Sequence, residues 1–533
     1  MNPEILNLVR EKGLLLEKDV FDFLERLNDI NVVRNFLDNI ERVSGQKIIT
    51  KQTLSKNFEI VKEFIGDVGD NELGKVSVKL GVSLEIVKGA IDEKEGGKAK
   101  ERGKRNEIEN SEKFQVFYST TNTEKKITVE DFVGNFRARY QQMQKMLMGR
   151  AELQNLTAIN KIGNDRQSLS IIGMVSEKRK TKKGNIILKV EDLTGEISVV
   201  INVNKPELFN KAEEVLLDDI IGIRASGSRE ILFAFDIIYP DAMVFEKVKF
   251  DEDVNIAFVS DTHVGGMKHL EKSLNNFLDW LNSDDENAKK INYIFFVGDN
   301  VDGVGIFPGQ ESVLKLKSMK EQYSKLAEYL RRVPKRITMF MCPGQHDAIR
   351  VAEPQPLISR RYAPELYEIE NLVLVSNPAT IKLIEKNKEF KILMYHGDSI
   401  HTFIHEIKEL RELKAAKTPA KAVRHMLKRR HLFPLHGEAV YIPNAEKDLL
   451  VINEVPDLLC TGEVHRVDVE NYNNILIITG SCWQGQTAFE EKIGNIPDPC
   501  KVPLFNLKTR ELKILDFGVE EELKELNAAG VGR

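Results

Sequence analysis

Short apolar runs that stop at an acidic residue or a histidine occur five times after residue 250, and they are the clearest pattern in the chain. Uninterrupted apolar runs of this length predict strands buried on both faces of a sheet. The residues that follow these runs include Asp261, His263, Asp299, Asn300, Gln345, His346, Asp347, His396, Asp398, Glu463 and His465. Strands that each deliver a ligand-type side chain to one edge predict a dinuclear metal site and phosphoester chemistry.

Helical periodicity alternates with these strands. Leu270, Leu274, Phe277, Leu278 and Leu281 share one helical face, and residues 313–333 form a second helical pattern. This alternation predicts a layered α/β domain over residues 250–520, followed by a short tail at 521–533.

Residues 166–245 carry shorter and more closely spaced apolar runs, separated by turn sequences such as Lys182-Lys183-Gly184. About five strands with a helical break at 206–214 resemble an OB-fold barrel. Phe233, Phe235 and Tyr239 lie in the apolar runs and are predicted to be core, while residues 178–183 supply basic charge. Two uses of the barrel remain open at this point, packing against the neighbouring domain and binding of single-stranded DNA.

The first part of the chain has a different organisation. Residues 1–70 read as a small helical module, and residues 71–127 as a charged, glycine-containing flexible linker. A connecting helix is predicted within residues 128–165, where apolar residues recur at helical spacing.

Composition places few further limits. With 533 residues the chain should form about three or four domains. Its net charge of −5 does not indicate nucleic-acid binding, so any basic surface must be local. The four cysteines form no CxxC pair and are expected to be buried free thiols. No apolar stretch approaches the roughly 20 residues of a membrane span, so we expect a cytoplasmic protein without membrane contact.

The polar clusters at the strand ends read Asp-x-His, Gly-Asp-Asn-x-x-Gly, Pro-Gly-x-His-Asp, His-Gly-Asp and Gly-x-x-His. This combination resembles the calcineurin-like, Mre11-like metallophosphoesterase superfamily. The resemblance implies a two-sheet sandwich flanked by helices, which here would follow the OB-fold barrel and the N-terminal helical domain. It also implies two divalent ions, manganese in most nuclease members, with magnesium as the other candidate.

The resemblance further implies roles for the individual residues. Asp299 would bridge the two ions, which lie about 3.5 Å apart in such sites. The first ion would be completed by Asp261, His263 and His465, and the second by Gln345, His396 and Glu463. His346 would act near the leaving oxygen as a general acid, with Asp347 orienting it.

Two positions depart from the superfamily pattern, and both concern the second ion. Gln345 stands where the family has asparagine, and Glu463 where it has histidine. Both side chains keep an oxygen donor, so a working site that favours manganese or magnesium over zinc is one interpretation. The other interpretation is a decaying site with weak activity.

The order of domains, with phrases such as Gly298-Asp-Asn-Val-Asp-Gly303 and Cys482-Trp-Gln-Gly-Gln-Thr487, resembles the small subunits of archaeal family D DNA polymerases. That resemblance implies a 3′ to 5′ exonuclease, associated with the nucleoid, that acts on single-stranded or mispaired DNA ends. A separate large subunit would perform synthesis. The alternatives are a non-catalytic scaffold subunit and a free-standing phosphodiesterase.

Two surfaces are predicted for the partners. Residues 413–437 contain no acid, and the basic side chains there predict DNA contact, with a solvated helix or an acidic partner as the alternatives. Of the seven lysines and arginines in this segment, the five candidates are Lys421, Arg424, Lys428, Arg429 and Arg430. Trp483 and Phe489 are candidates for docking the large subunit, although a buried tryptophan is more often core.

Overall fold

The computed structural model describes residues 3–17, scattered positions between 20 and 49, and residues 110–118 and 126–524. The chain divides into two compact units, residues 1–104 and 105–533. In the first unit, helix α1 (Pro3–Glu11) precedes strand β1 (Leu15–Leu16), which pairs in parallel with strand β2 (Ile48–Ile49). The remainder of the predicted N-terminal module and most of the predicted linker lie outside the described residues. None of the helices among the described residues combines the length and apolar content that crossing a bilayer requires.

The linker predicted over residues 71–127 is wrong at its C-terminal end. Strands β3 (Asn110–Ser111) and β4 (Phe114–Tyr118) lie there, and β4 joins the edge of a large sheet. Phe114 explains this, because its buried ring contacts that of Phe340 at a centroid distance of 5.0 Å. Helix α2 (Val129–Met148) follows. Its Gly134 lies so close to the segment around Ala445 that an added Cβ would be 2.5 Å from the Cβ of Ala445.

Five strands then form a closed barrel. They are β5 (Gln167–Lys180), β6 (Ile186–Asp192), β7 (Gly195–Ile201), β8 (Ile220–Ser228) and β9 (Ile231–Ile238), with helix α3 (Pro206–Glu213) between β7 and β8. The barrel closes in the order β5-β6-β7-β9-β8 around a core of valine, leucine and isoleucine side chains. Tyr239 is buried as predicted, but Phe233 and Phe235 are each 46% exposed. The strand period of two turns both rings away from the barrel core, so their assignment to the core is wrong.

The remaining chain forms two sheets with helices on their outer faces. The strands are β10 (Asn255–Val259), β11 (Ile291–Val297), β12 (Thr338–Cys342), β13 (Leu372–Leu374), β14 (Ala379–Glu385), β15 (Lys388–Met394), β16 (Leu458–Thr461), β17 (Asp468–Tyr472), β18 (Ile475–Thr479), β19 (Lys501–Asn506) and β20 (Leu512–Asp516). The helices are α4 (Glu271–Leu281), α5 (Glu286–Lys289), α6 (Met319–Leu330), α7 (Ser399–Glu406), α8 (Lys408–Glu412), α9 (Ala420–Arg429) and α10 (Ala488–Ile493).

The two sheets pack face to face. One has the strand order β13-β12-β11-β10-β19-β20 and the other the order β17-β18-β16-β15-β14-β4-β3. Between them lies a buried apolar layer, in which the rings of Phe390 and Phe505 stack across the sheets at 5.9 Å. The outer face of the first sheet is covered by α4 and α6, and that of the second by α7 and α9. The predicted mixed α/β class is confirmed.

Strand direction decides where the site forms. Strands β10, β11 and β12 run parallel to one another, as do β15, β16 and β18 in the second sheet. Their carboxyl ends therefore meet at one end of the sandwich, where the polar clusters begin. All four cysteines are buried and free, as expected.

Candidate metal centre

The strand ends bring six of the predicted side chains and one further residue into overlapping groups. The ligand atoms within each group lie within 4.8 Å of one another. The groups are Asp261, His263 and His465; His263, Asp302 and His346; and Asp261, Asp299 and His396. Because the groups share Asp261 and His263, they form one continuous cluster.

Five of the candidate residues have left-handed backbone conformations just after the strand ends. Asp261, His263 and Asp299 have φ values of 50°, 44° and 46°. Glu463 and His465 follow with 71° and 57°. Non-glycine residues adopt such angles at a cost of about 1–3 kcal/mol each, and they concentrate at functional sites.

Three motif glycines leave room for the candidate ligands. A Cβ on Gly298 would lie 2.1 Å from Nδ1 of His396, and one on Gly344 would lie 2.2 Å from Oδ1 of Asp299. A Cβ on Gly462 would lie 2.5 Å from Oδ2 of Asp261. Glycine is therefore required at these motif positions for a steric reason, since any side chain there would displace a candidate ligand.

The first group brings two imidazoles together. Nε2 of His263 lies 3.1 Å from Nε2 of His465, and the latter lies 3.5 Å from Oδ1 of Asp261. Nδ1 of His263 lies 3.3 Å from Oδ1 of Asp302. Two ring nitrogens and a carboxylate oxygen that converge in this way suit a divalent cation.

A residue that the sequence analysis missed supports His465. Oε1 of Glu490 lies 2.9 Å from Nδ1 of His465, and Glu490 is only 6% exposed. Its other oxygen accepts the backbone N–H of Thr487 at 2.9 Å, which forms a capping box at the start of α10. The Thr-x-x-Glu spacing was visible in the sequence and predicts the cap, but not the contact with a residue 25 positions earlier.

His396, which belongs to the third of these groups, lies beside two carboxylates. Nε2 of His396 lies 3.4 Å from Oδ2 of Asp299 and 3.2 Å from Oε2 of Glu463. The other ring nitrogen, Nδ1, is 2.9 Å from the carbonyl oxygen of Val297, so Nδ1 donates and Nε2 faces the carboxylates. Gln345 donates through Nε2 to Glu463 at 3.0 Å and to Asp398 at 2.9 Å.

Several buried polar atoms of these residues lack a well-formed hydrogen bond. Among the described residues they include Oε1 of Gln345, and Nε2 of His396 and Nδ1 of His263, which have only the carboxylate contacts at 3.2–3.4 Å given above. Such atoms are costly unless a further group satisfies them. Nitrogen and oxygen donors left open in this way fit divalent cations, so the residues present are suited to hold them.

The charges in the cluster shift each other's pKa values. Burial lowers the pKa of His396, but the carboxylates of Asp299 and Glu463 outweigh it and hold that pKa well above the usual value. Burial raises the pKa of Glu463, but its bond to His396 lowers it to about 2. The carboxylates are therefore held ionised, which is the state that binds a cation.

His346 and Asp347 play different parts. Nε2 of His346 lies 3.9 Å from Oδ2 of Asp299, and its Nδ1 is 2.6 Å from the carbonyl oxygen of Asp302. Asp347 uses Oδ2 to accept from Asn300 and Gly344, and Oδ1 to accept from Tyr323 at 2.8 Å. The prediction that Asp347 orients His346 is wrong, because both its oxygens tie loops together instead. Burial, together with the charge of Asp299, raises the pKa of Asp347 to about 6.

Most of the basic side chains predicted to contact DNA are instead buried or paired with acidic residues and backbone carbonyls of the same chain. Arg429 is 3% exposed and bonds Asp219 of the barrel at 2.9 Å, and Arg430 is 7% exposed and donates to the carbonyl oxygen of Ile452. The prediction of DNA contact is wrong for these two arginines. The other three candidates are partly exposed. Lys428 pairs with Glu214, and Arg424 pairs with Glu409 and Glu470. DNA contact by Lys421 stays a prediction.

The two residues predicted to dock the large subunit differ in burial. Trp483 is fully buried and packs against Phe277 at a centroid distance of 5.6 Å, so its assignment to an interface is wrong. Phe489 is 69% exposed on α10, beside the Glu490 that contacts His465. Ile496, just past that helix, is 63% exposed. Phe489 remains a candidate contact.

Comparison with known proteins identifies a matching family and several related chains. The family of B subunits of DNA polymerases alpha and epsilon matches residues 256–468. The DNA polymerase II small subunit of Pyrococcus furiosus is 36% identical over 406 residues, which cover 74% of this chain and 65% of that protein. The protein of the same name from Methanothermobacter thermautotrophicus is 34% identical over 412 residues, covering 76% of this chain and 83% of that protein. The match thus spans slightly less than two thirds of the Pyrococcus relative. A solved archaeal phosphodiesterase aligns with 49% of this chain at 14% identity and a TM-score of 0.24.

Proposed function

The chain belongs to the family of archaeal DNA polymerase II small subunits, and we propose that within such a polymerase it removes nucleotides from DNA 3′ ends with divalent cations. A separate large subunit would perform synthesis, and single-stranded or mispaired ends would be the substrate. The protein would act in the cytoplasm, at the nucleoid.

One observation carries the proposal. Side chains from both sheets converge so that Asp261, Asp299 and His396 share one group while Asp261, His263 and His465 share another. Asp261, His263 and His465 would hold the first ion and His396, Glu463 and Gln345 the second, and Asp299 would be a ligand to both. Two divalent ions, manganese or magnesium, would supply Lewis-acid stabilisation of the charge that develops on the phosphodiester oxygens.

His346 would donate the proton that the leaving oxygen requires. The Asp302 carbonyl oxygen accepts from Nδ1 of His346, so Nε2 of that ring faces Asp299. Burial lowers the pKa of His346, but the charge of Asp299, the hydrogen bond to the Asp302 carbonyl and the charges of Asp302 and Glu463 together raise it above its usual value. A ring that holds its proton at Nε2 is suited to protonate the 3′ oxygen as it leaves.

Gln345 and Glu463 support a functional second site. Glu463 lies within 3.2 Å of His396, and Oε1 of Gln345 is buried without a hydrogen-bond partner among the described residues. A decayed site would not be expected to keep a buried amide oxygen without a hydrogen bond on a side chain that contacts Glu463. Oxygen donors in place of nitrogen favour manganese or magnesium over zinc.

We also assign the closed barrel to the OB-fold class and the first residues to a helical N-terminal domain. Five strands with a helix between β7 and β8 support the first assignment. The buried Arg429 to Asp219 pair supports a barrel that packs on the phosphoesterase sandwich.

The test uses the full chain with Mn²⁺ and a strand that carries a 5′ label and a mispaired 3′ end. We expect stepwise shortening from the 3′ end, and loss of at least about a hundredfold in Asp299→Asn and His346→Ala. Asp284→Asn is the matched control, because that carboxylate is exposed between α4 and α5.

Each other outcome has a defined meaning. Equal cleavage by Asp299→Asn and the parent would show a contaminating nuclease and contradict the proposal. Co-purification with the large subunit without any cleavage would favour a scaffold subunit. Cleavage without co-purification would favour a free-standing phosphodiesterase.

A further inference from the structure

A short loop beside the candidate metal centre exposes apolar side chains. Residues 303–310, which follow Asp302, contain no ionisable group. Val304, Ile306 and Phe307 are 41%, 40% and 47% exposed. Exposed apolar side chains that are grouped on one loop indicate a binding surface, whereas singly scattered ones are normal on a protein surface.

The loop is fixed to the site at its start, through Asp302, which precedes it, and through Gly303. The carbonyl oxygen of Asp302 contacts Nδ1 of His346 at 2.6 Å and accepts from Nε2 of Gln310 at 2.9 Å. A Cβ on Gly303 would lie 2.5 Å from the carbonyl oxygen of His346 and 2.8 Å from Cγ1 of Ile306. The apolar loop therefore begins in direct contact with the backbone of His346.

Two fully buried glutamines hold the loop in one conformation. Gln310 and Gln322 both have 0% exposure. Gln310 accepts the N–H of Ile306 at 2.9 Å, and Gln322 bonds both the N–H and the carbonyl oxygen of Gly303, at 2.9 and 3.0 Å. Buried amides that satisfy loop backbone groups make the exposed tip rigid before any ligand arrives.

A nucleobase suits this surface. In a DNA strand whose 3′-terminal phosphodiester lies at the metal centre, the flat, largely apolar group closest to it is the terminal base. Aromatic side chains stack on bases of any sequence, which an uncharged loop without hydrogen-bonding side chains at its tip permits. A rigid aromatic also loses little entropy on binding.

We propose that Phe307, supported by Ile306, is the platform on which the 3′-terminal base of the substrate strand stacks. This inference rests on the proposed nuclease function and deepens it. It makes Phe307 a positioning residue, which places the terminal phosphodiester relative to His346 and the cations.

The test measures stacking without hydrolysis. The full chain is mixed with a single strand that carries 2-aminopurine at its 3′ end, with Ca²⁺ in place of Mn²⁺ so that the strand stays intact. We expect quenching of the 2-aminopurine fluorescence, loss of quenching with about tenfold weaker binding in Phe307→Ala, and recovery in Phe307→Trp.

Phe245→Ala is the control variant. Phe245 is 91% exposed and follows Val244, whose N–H bonds Asn473 just before β18, at the end of the sandwich opposite the candidate ligands. A second strand with an abasic 3′ end should bind Phe307→Ala and the parent equally.

The proposal is overturned if Phe307→Ala quenches like the parent, if the parent does not quench, or if both strands lose binding equally. It is also overturned if Phe307→Ala instead loses capture by the large subunit with quenching unchanged, since the loop would then dock a protein. Cleavage with Mn²⁺ is scored separately, so quenching without cleavage would sink the nuclease proposal and leave the base platform standing.

Discussion

Glu490 holds His465 from behind, with its Oε1 2.9 Å from Nδ1 of the ring. Because Nδ1 is occupied by this carboxylate, Nε2 is the nitrogen that faces Asp261 and His263. A carboxylate behind a ligand histidine fixes the ring orientation and raises its basicity. Helix α10, which begins after its N-cap residue Thr487, is therefore part of the candidate metal centre.

Replacement of this carboxylate tests that relationship. In Glu490→Gln we expect about 10–100-fold weaker Mn²⁺ binding, measured by titration calorimetry on the full chain, because the amide no longer holds the ring as firmly. Glu491→Gln on the same helix is the control, since Glu491 is exposed. Equal affinities in the two variants would show that Glu490 only caps the helix.

The metal preference is expected to follow residue 463. In Glu463→His a neutral nitrogen replaces an anionic oxygen beside His396, so we expect the Zn²⁺ to Mn²⁺ affinity ratio to rise by at least about tenfold. Competition titrations with both metals measure this ratio. Gln345→Asn keeps an amide donor and should leave the ratio unchanged, whereas an unchanged ratio in Glu463→His would place Glu463 outside the metal shell.

The buried pair between helix α9 and the barrel should matter for stability and not for DNA. Arg429→Met leaves Asp219 buried without its partner, which should lower the free energy of unfolding by about 3–5 kcal/mol. Urea unfolding followed by circular dichroism measures this. Lys421→Met, at a partly exposed site on the same helix, should change it by no more than about 0.5 kcal/mol. Unchanged stability together with weaker DNA binding in Arg429→Met would instead support the sequence-based prediction that Arg429 contacts DNA.

The two aromatic docking candidates should behave in opposite ways. Trp483→Ala removes a fully buried ring from the core around Phe277 and should cost about 3–5 kcal/mol of unfolding free energy. Phe489→Ala removes an exposed ring and should leave stability nearly unchanged. Thermal unfolding of both variants, with capture by the large subunit as a second readout, separates them. A stable Trp483→Ala protein that no longer binds the large subunit would contradict the burial argument.

Acid should destabilise the protein partly through Glu271. Burial raises the pKa of this carboxyl, but the hydroxyl of Tyr329 and the ammonium groups of Lys315 and Lys325 together lower it to about 2. A carboxyl whose pKa is lower in the folded state contributes stability above its unfolded value of about 4.5, and loses that contribution as the pH falls towards 2. The melting temperatures of the parent and Glu271→Gln should therefore converge as the pH falls from about 5 to about 2. A constant difference across that range would show that the shift is absent.

The positions of the candidate ligand residues were predictable because they follow from local rules. A buried strand has a fixed direction and length, so Asp261 and Asp299 had to emerge at its carboxyl end. The same rule placed the stripe of helix α4 against the sheet, since Leu274, Phe277 and Leu278 recur at helical spacing. The family resemblance is confirmed by relatives that are 36% and 34% identical over about three quarters of the chain.

Pairing across long sequence separations could not be predicted. Residues 413–437 contain no acid, yet Arg429 finds Asp219 some 210 positions earlier. Phe233 and Tyr239 lie in the same apolar region, but the register of β9 exposes the first, while the second is buried beyond the strand end. In each case the partner is chosen by how separate elements pack, which local periodicity does not encode.

The sequence by itself determined the mixed α/β class, the positions of the candidate ligands at the strand ends and the membership of a DNA polymerase small-subunit family, because each rests on local pattern or direct similarity. Only the tertiary structure decided that Glu490 supports His465, that Asp302 and not Asp347 holds His346, and that the basic helix is largely paired. Those relationships depend on distances between groups far apart in the chain, and such distances are set when the two sheets and the barrel close around their cores.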